Sequence, residues 1–196
     1  MNAPTSSIFP RFAPTPGGIL IPFRGKYPRV APDAFVAPTA VLIGDVEVGP
    51  EAGIWFGCVL RADTNTIRIG ARSNIQDGTI IHVNPGEAWA TVIGEDVTVG
   101  HLCLIHAARL ESGAFVGMKA AVIDGAVVEG GAMVAAGALV TPNKRVPSGE
   151  LWAGSPAAFK RKISPEDARG FATTSVRYVE FARQYRAEGI GVTAAE

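Results

Sequence analysis

An aliphatic residue returns at every sixth position through most of this 196-residue chain: Val36, Leu42, Val48, Ile54 and Leu60, then Ile69, Ile75 and Ile81, then Ile93, Val99 and Ile105. After one five-residue step the series resumes at Leu110 and runs through Val116, Val122, Val128 and Val134 to Val140. A small side chain stands four positions after most of these, as at Ala40, Ala52, Cys58, Ser73, Cys103, Ala114, Ala120, Ala126, Ala132 and Ala138. An α-helix drifts away from a six-residue repeat and is weakened by the glycines that often follow the aliphatic, Gly49, Gly70, Gly94, Gly100 and Gly117 among them. Short strands hold the repeat. In an extended chain the aliphatic and the small residue two positions before it point the same way, so six residues make one strand and one corner. Three strands crowded around one axis accept little but small and aliphatic side chains, which matches 23 glycines and only 8% aromatic residues.

About seventeen repeats give five to six stacked coils, held together by nearest-neighbour contacts. The expected organisation is an N-terminal arm over 1–29, a β-solenoid over 30–150, and a connecting segment with a C-terminal helix over 151–196. The arm carries Pro4, Pro10, Pro14 and Pro16 and is expected to be irregular. Ser164 as cap, Pro165 at the first helical position and Asp167 facing the helix dipole open the helix. Ala168, Phe171, Ala172, Ser175, Val176, Tyr178, Val179 and Ala182 form its apolar stripe, which ends near Gly189 and packs along the solenoid or on a neighbouring subunit.

Charge balances at 18 basic and 18 acidic residues, which supports neither a nucleic-acid partner nor a polybasic membrane-surface role. No run approaches the roughly 20 apolar residues that span a bilayer, and the cytoplasm is the expected compartment. Two cysteines, Cys58 and Cys103, are too few for a disulfide framework and fall at small-residue positions of the core.

The repeat breaks twice, with nine residues from Leu60 to Ile69 and twelve from Ile81 to Ile93. Counting each break as one repeat plus a loop stacks Leu60, Ile81 and Ile105 directly above one another. The residues that follow them, Arg61, His82 and His106, then share one outward position in three successive coils. The two imidazoles come about one 4.8 Å rung apart, a gap that one zinc ion bound at about 2.0 to 2.1 Å can bridge. If the twelve-residue gap is instead two repeats, His82 and His106 face different ways. His101 lies on the preceding face, one coil above Asp77, and converges with the other two only if solenoids pack side by side. These are all three histidines of the chain.

The segments VLRADTNTIRIG, IRIGARSNIQDGTIIHV and IGEDVTVGHLCLIHA resemble the γ-class carbonic anhydrase family, from about residue 20 to 185. The resemblance implies an all-β solenoid, a left-handed parallel β-helix of hexapeptide repeats, followed by the C-terminal α-helix. It further implies a homotrimer with one metal ion at each subunit interface, held by His82 and His106 of one chain and His101 of the next. Arg61 and Asp77 would form an ordering ion pair at that interface, Asp63 would support it, and Gln76 would orient water or bicarbonate. Asn74 falls in the same motif and serves equally as a turn residue. Three neutral imidazoles would leave a dication's charge undiminished and one position open, and such an ion would lower the pKa of a water ligand to about 7, supplying hydroxide for attack on carbon dioxide. Zn2+ is the expected ion, and Fe2+ or Co2+ also suits nitrogen donors.

The resemblance also implies a proton path, because the family's founding archaeal enzyme passes product protons to solvent through glutamates in these two loop regions. Here Thr64 follows Asp63, so the first of these acids is absent, and the second loop, VNPGEAWA, offers only Glu87, a proton shuttle or a solvated loop acid. Two other readings stay open. One is a CoA-thioester hydrolase or acyltransferase-like hexapeptide protein, suggested by AGSPAAFKRK, although no histidine is left over as a general base. The other is a metal-binding homologue without hydration activity.

Overall fold

In the computed structural model, which describes residues 17–191, the aliphatic positions of the six-residue series from Val36 to Val140 are all at most 3% exposed. The small residues that precede them are buried with them, from Ala40 at 0% to Cys103 at 2%. Backbone pairing between coils is parallel. Ile19–Ile21 opens a first face, followed upward by Val41, Val59, Ile80–His82, Leu104–His106, Ala121–Ile123 and Leu139–Val140. A second face runs from Arg29–Val30 through Val48, Ile69, Thr91–Ile93, Arg109–Leu110 and Val127–Val128 to Arg145–Val146. A third runs from Phe35–Val36 through Gly53–Ile54, Asn74–Ile75, Thr98–Val99, Phe115–Val116 and Met133–Val134 to Glu150–Ala153. The antiparallel strand Ala158–Lys162 closes that face. The protein is thus a left-handed parallel β-helix with one C-terminal helix.

The coils number about seven, against the five to six counted from the repeat. The additional rungs, Ile19–Ile21 and Arg29–Val30 below and Arg145–Val146 and Glu150–Ala153 above, lie outside the span where the aliphatic and small pair recurs. The lowest rung packs against one neighbour only, so burial does not impose the pattern there: Ile19, Leu20 and Ile21 are 53%, 40% and 40% exposed, whereas Val146 at the upper end is 0% exposed. Residues 1–16 of the expected arm lie outside the described residues.

The first break is a bulge inside the long strand Val59–Ile69, where pairing with Val41–Val48 shifts register between Gly44 and Val46. Gly44 is required there. Its φ is +77°, and a Cβ would come within 2.3 Å of the Ala62 carbonyl oxygen. The second break holds a short 3-10 helix, Glu87–Trp89. Asn65 in the first loop donates to the carbonyls of Asn84, at 3.0 Å, and Gly86, tying the two loops together.

Helix α1, Pro165–Ala187, begins with the expected capping box: the Ser164 hydroxyl accepts from the Asp167 amide and the Asp167 carboxylate accepts from the Ser164 amide. The Arg161 guanidinium beside it, and then Ser164, hold the Asp167 carboxyl well below the usual carboxylate range. The helix lies on the third face of its own solenoid. Ser175, Val179 and Ala182 are buried, and Tyr178 and Tyr185 close on Trp55 at 5.1 and 5.7 Å between ring centroids. These contacts explain why Phe35 and Trp55, which point out from the solenoid, are 0% and 4% exposed. Val176, assigned to the apolar stripe, instead faces solvent at 70% exposure, because the aromatic contacts turn the helix toward its 178 and 185 positions.

Both cysteines are core residues. Cys58 donates its thiol to the carbonyl of Gln76 at 3.2 Å, and Cys103 donates to that of Gly117 at 3.1 Å. Burial pushes their pKa up to about 12 and about 11 respectively. Because the thiolate is the reactive form, neither thiol of the native protein is expected to react with a disulfide reagent at pH 8, and both should titrate once denaturant is added. Rapid labelling of the native protein would contradict the burial described here.

Candidate metal centre

Pairing between coils decides the twelve-residue gap. Arg61 is paired with His82 and His82 with His106, so the gap is one repeat plus a loop and both imidazoles leave the first face at the same position. His82 Nδ1 lies 3.1 Å from His106 Nε2. Each ring has a carboxylate behind its other nitrogen. Asp63 Oδ1 is 3.1 Å from His82 Nε2, and Asp124 Oδ1 is 3.0 Å from His106 Nδ1. Burial raises the Asp63 carboxyl, but the hydrogen bonds from Arg61 and His82 outweigh it and leave the group below its ordinary value.

A neutral imidazole carries one N–H. If Asp63 and Asp124 each accept that proton from the outer nitrogen, the two inner nitrogens face each other as bare lone pairs that a cation would hold together; in the other tautomer of either ring they share one N–H···N hydrogen bond. Two nitrogens bound at 2.0–2.1 Å to a tetrahedral ion lie about 3.3–3.4 Å apart, close to the spacing found. A carboxylate behind each ring fixes the tautomer in the way histidine ligands are commonly held.

His101 sits at the corner after the third face, one coil above Asp77: the Leu102 amide donates to the Asp77 carbonyl, and His101 Nδ1 lies 2.9 Å from Asp77 Oδ2. Its Nε2 is 3.4 Å from the hydroxyl of Tyr178 on α1. All three histidines are therefore backed by an aspartate. His101 does not meet the other two within one chain, and among the described residues no group of three or more His, Cys, Asp or Glu gathers as a metal cluster.

The remaining expected residues separate. Arg61 pairs with Asp63 within the chain, while Asp77 pairs with His101. Gln76 is 4% exposed and donates through Nε2 to Asn74 Oδ1 at 3.0 Å. Asn74 is a buried strand residue that donates in turn to Thr98, so it serves this polar row and not a turn. Glu87 is exposed on its loop and takes part in none of the hydrogen bonds that hold the histidines. Tyr178 and Asp124 were not among the expected site residues. Ile123 is stacked on His106 one coil above, 17 residues on because of the five-residue step, and Asp124 follows it directly; that shortened count was the available signal.

No protein-family profile matches the chain. Individual proteins do. A 167-residue stretch, 83% of this chain, is 48% identical to gamma carbonic anhydrase 2 of Arabidopsis thaliana mitochondria; the match covers 60% of that protein's length. The chain is 39% identical over 170 residues to a carbonic anhydrase of Geobacillus kaustophilus, covering 86% of this chain and 92% of that one. Among solved structures, a hexapeptide transferase family protein of Anaplasma phagocytophilum superposes with a TM-score of 0.82 at 46% identity, covering 85% of this chain and 98% of the other. Among the described residues no helix is long and apolar enough to cross a membrane. With 48% identity to a plant gamma carbonic anhydrase and the bacterial carbonic anhydrase covered almost end to end, the chain belongs to the γ-carbonic anhydrase family.

Proposed function

We propose that the protein interconverts carbon dioxide and bicarbonate at a metal centre shared between subunits of a homotrimer, with His82 and His106 from one chain and His101 from the next. The observation that carries this reading is the His82 and His106 pair, whose facing nitrogens at 3.1 Å lie close to the separation of two nitrogen ligands on one tetrahedral ion. Shared ligation is supported by His101, which has the same carboxylate backing but belongs to a different corner. Exposed apolar residues around the histidines also support it. Ile80 and Leu104, two residues before His82 and His106, are 48% and 39% exposed, and Leu102 and Met118 beside the His101 corner are 57% and 54% exposed. A patch of that kind is expected to be covered.

A bound dication would supply Lewis acidity, lowering the pKa of a water ligand to about 7. The chain's own residues do the rest. Asp63, Asp77 and Asp124 hold the imidazoles in one tautomer. Gln76, fixed through its amide nitrogen, offers its carbonyl oxygen to orient water or bicarbonate. Arg61, steadied by Asp63 and reaching Asp77 of a neighbour, places positive charge where bicarbonate forms. Proton release falls to Glu87 on its exposed loop, since Thr64 cannot carry a proton to solvent as an acid would.

The test pairs metal analysis with stopped-flow hydration of carbon dioxide. One ion per subunit and hydration that vanishes on chelation are expected, beside no turnover of a CoA thioester. A metal-free protein, or activity on the thioester alone, would overturn the reading.

A further inference from the structure

Asp124 and Gly125 form a tight turn, with φ of +42° and +75° and the Ala126 amide donating to the Ile123 carbonyl at 3.2 Å. Asp-Gly suits such a turn, and so does Asn-Gly or Gly-Gly. The turn alone therefore does not require a carboxylate. Yet one carboxylate oxygen of Asp124 takes two contacts: His106 Nδ1 at 3.0 Å and the Asn84 side-chain amide at 2.8 Å. The Asp124 backbone amide also donates to the His106 carbonyl at 2.7 Å, seating the turn on the histidine's own backbone. Asn84 is held in turn, because the Asn65 side chain bonds its carbonyl. A chain of side-chain contacts thus runs from the first register-breaking loop, through the second, to one imidazole.

We propose that Asp124 is a positioning residue that presents His106 Nε2 to the metal ion, and that Asn84 holds Asp124 in place. The inference rests on the metal-centre reading above. A carboxylate on Nδ1–H keeps that proton away from Nε2, fixes the ring plane and makes the ring a better donor. The two loops then set the orientation of a ligand that the coil alone leaves free to rotate about its side-chain torsions.

The test uses Asp124→Asn and Asp124→Gly, both of which keep the turn. Metal-free wild-type protein and variants are titrated with Zn2+ against a chromophoric chelator and with Co2+ followed by its visible bands, and the melting of each metal-free form is measured. Asp124→Gly is expected to weaken Zn2+ binding by about 10- to 100-fold, with altered cobalt bands. Asp124→Asn, whose amide oxygen still accepts from Nδ1–H, should lose less, and melting should match wild type in both. Wild-type protein that takes up no metal overturns the reading beneath the proposal. Wild-type protein that binds one ion per subunit, with both variants within about twofold of it, overturns the role of Asp124 alone. Should the Asp124 variants fail to fold, Asn84→Ala supplies the measurement: weaker Zn2+ binding with unchanged melting supports the proposal, and unchanged binding overturns it.

Discussion

Chains carrying His101→Ala and chains carrying His82→Ala are each expected to lose stoichiometric metal and hydration activity, and to regain part of both when they are co-expressed. In the proposed shared centre, each substitution alone removes one of three nitrogen donors from every site of the homotrimer. In a mixed trimer a site is whole wherever a His101→Ala chain, which still has His82 and His106, meets a His82→Ala chain, which still has His101. Random assembly in equal amounts makes about one site in four whole, because each interface joins two different surfaces in a ring. Metal content near a quarter of the wild-type level is therefore the expected measurement. A co-expressed mixture with no more metal than either variant alone would mean that the ligands do not come from two chains.

The outcome turns on features that a local repeat exposes unevenly. His82 and His106 could be stacked from the sequence because each coil buries the same aliphatic position, so counting residues also counts rungs. The structure bears this out through the direct pairing of Arg61, His82 and His106. Asp124 escaped the same count because Asp-Gly already has a sufficient local explanation in the turn it makes. Only its place directly after Ile123, the residue stacked on His106, gives its carboxylate a second purpose. Asn74 went astray for the converse reason. Its residue type suggests a corner, whereas α1 covers the third face and lets polar side chains be buried there in a row with Gln76 and Thr98. The lowest coil was missed because a rung with one neighbour tolerates exposed residues of either kind.

The coverage by α1 also explains how a narrow solenoid accommodates rings at all. The interior admits aliphatic and small side chains, while Phe35, Trp55, Tyr178 and Tyr185 assemble outside it, between sheet and helix, with centroid separations from 4.9 to 5.7 Å. Because His101 contacts Tyr178 on the same helix, the aromatic seam ends at a candidate ligand. Packing of the helix and presentation of His101 are thus physically continuous, which helix propensity alone would not suggest.

Truncating the aliphatic ladder has the largest expected effect on stability. Ile105 is 0% exposed and lies between Ile81 in the coil below and Val122 in the coil above. The coils on either side are tied to its strand by backbone hydrogen bonds, from Ile80 to the Cys103 carbonyl at 2.9 Å and from Leu104 to the Ala120 carbonyl at 3.0 Å. Those bonds fix the rung spacing, so the walls cannot close on the space that Ile105→Ala leaves, and the loss falls at about 3 kcal/mol within the usual range for such truncations. For a chain of this size that is a fall in melting temperature of about 6–12 °C. Val176→Ala on the outer side of α1, at 70% exposure, is expected to change stability by less than about 0.5 kcal/mol. Both are measured on metal-free protein by thermal melting, so that ligand binding does not enter the comparison. Since His106 follows Ile105 directly, the first variant should also bind Zn2+ more weakly while the second binds it unchanged. Equal melting shifts in the two variants would mean that the six-residue ladder is not what holds the coils together.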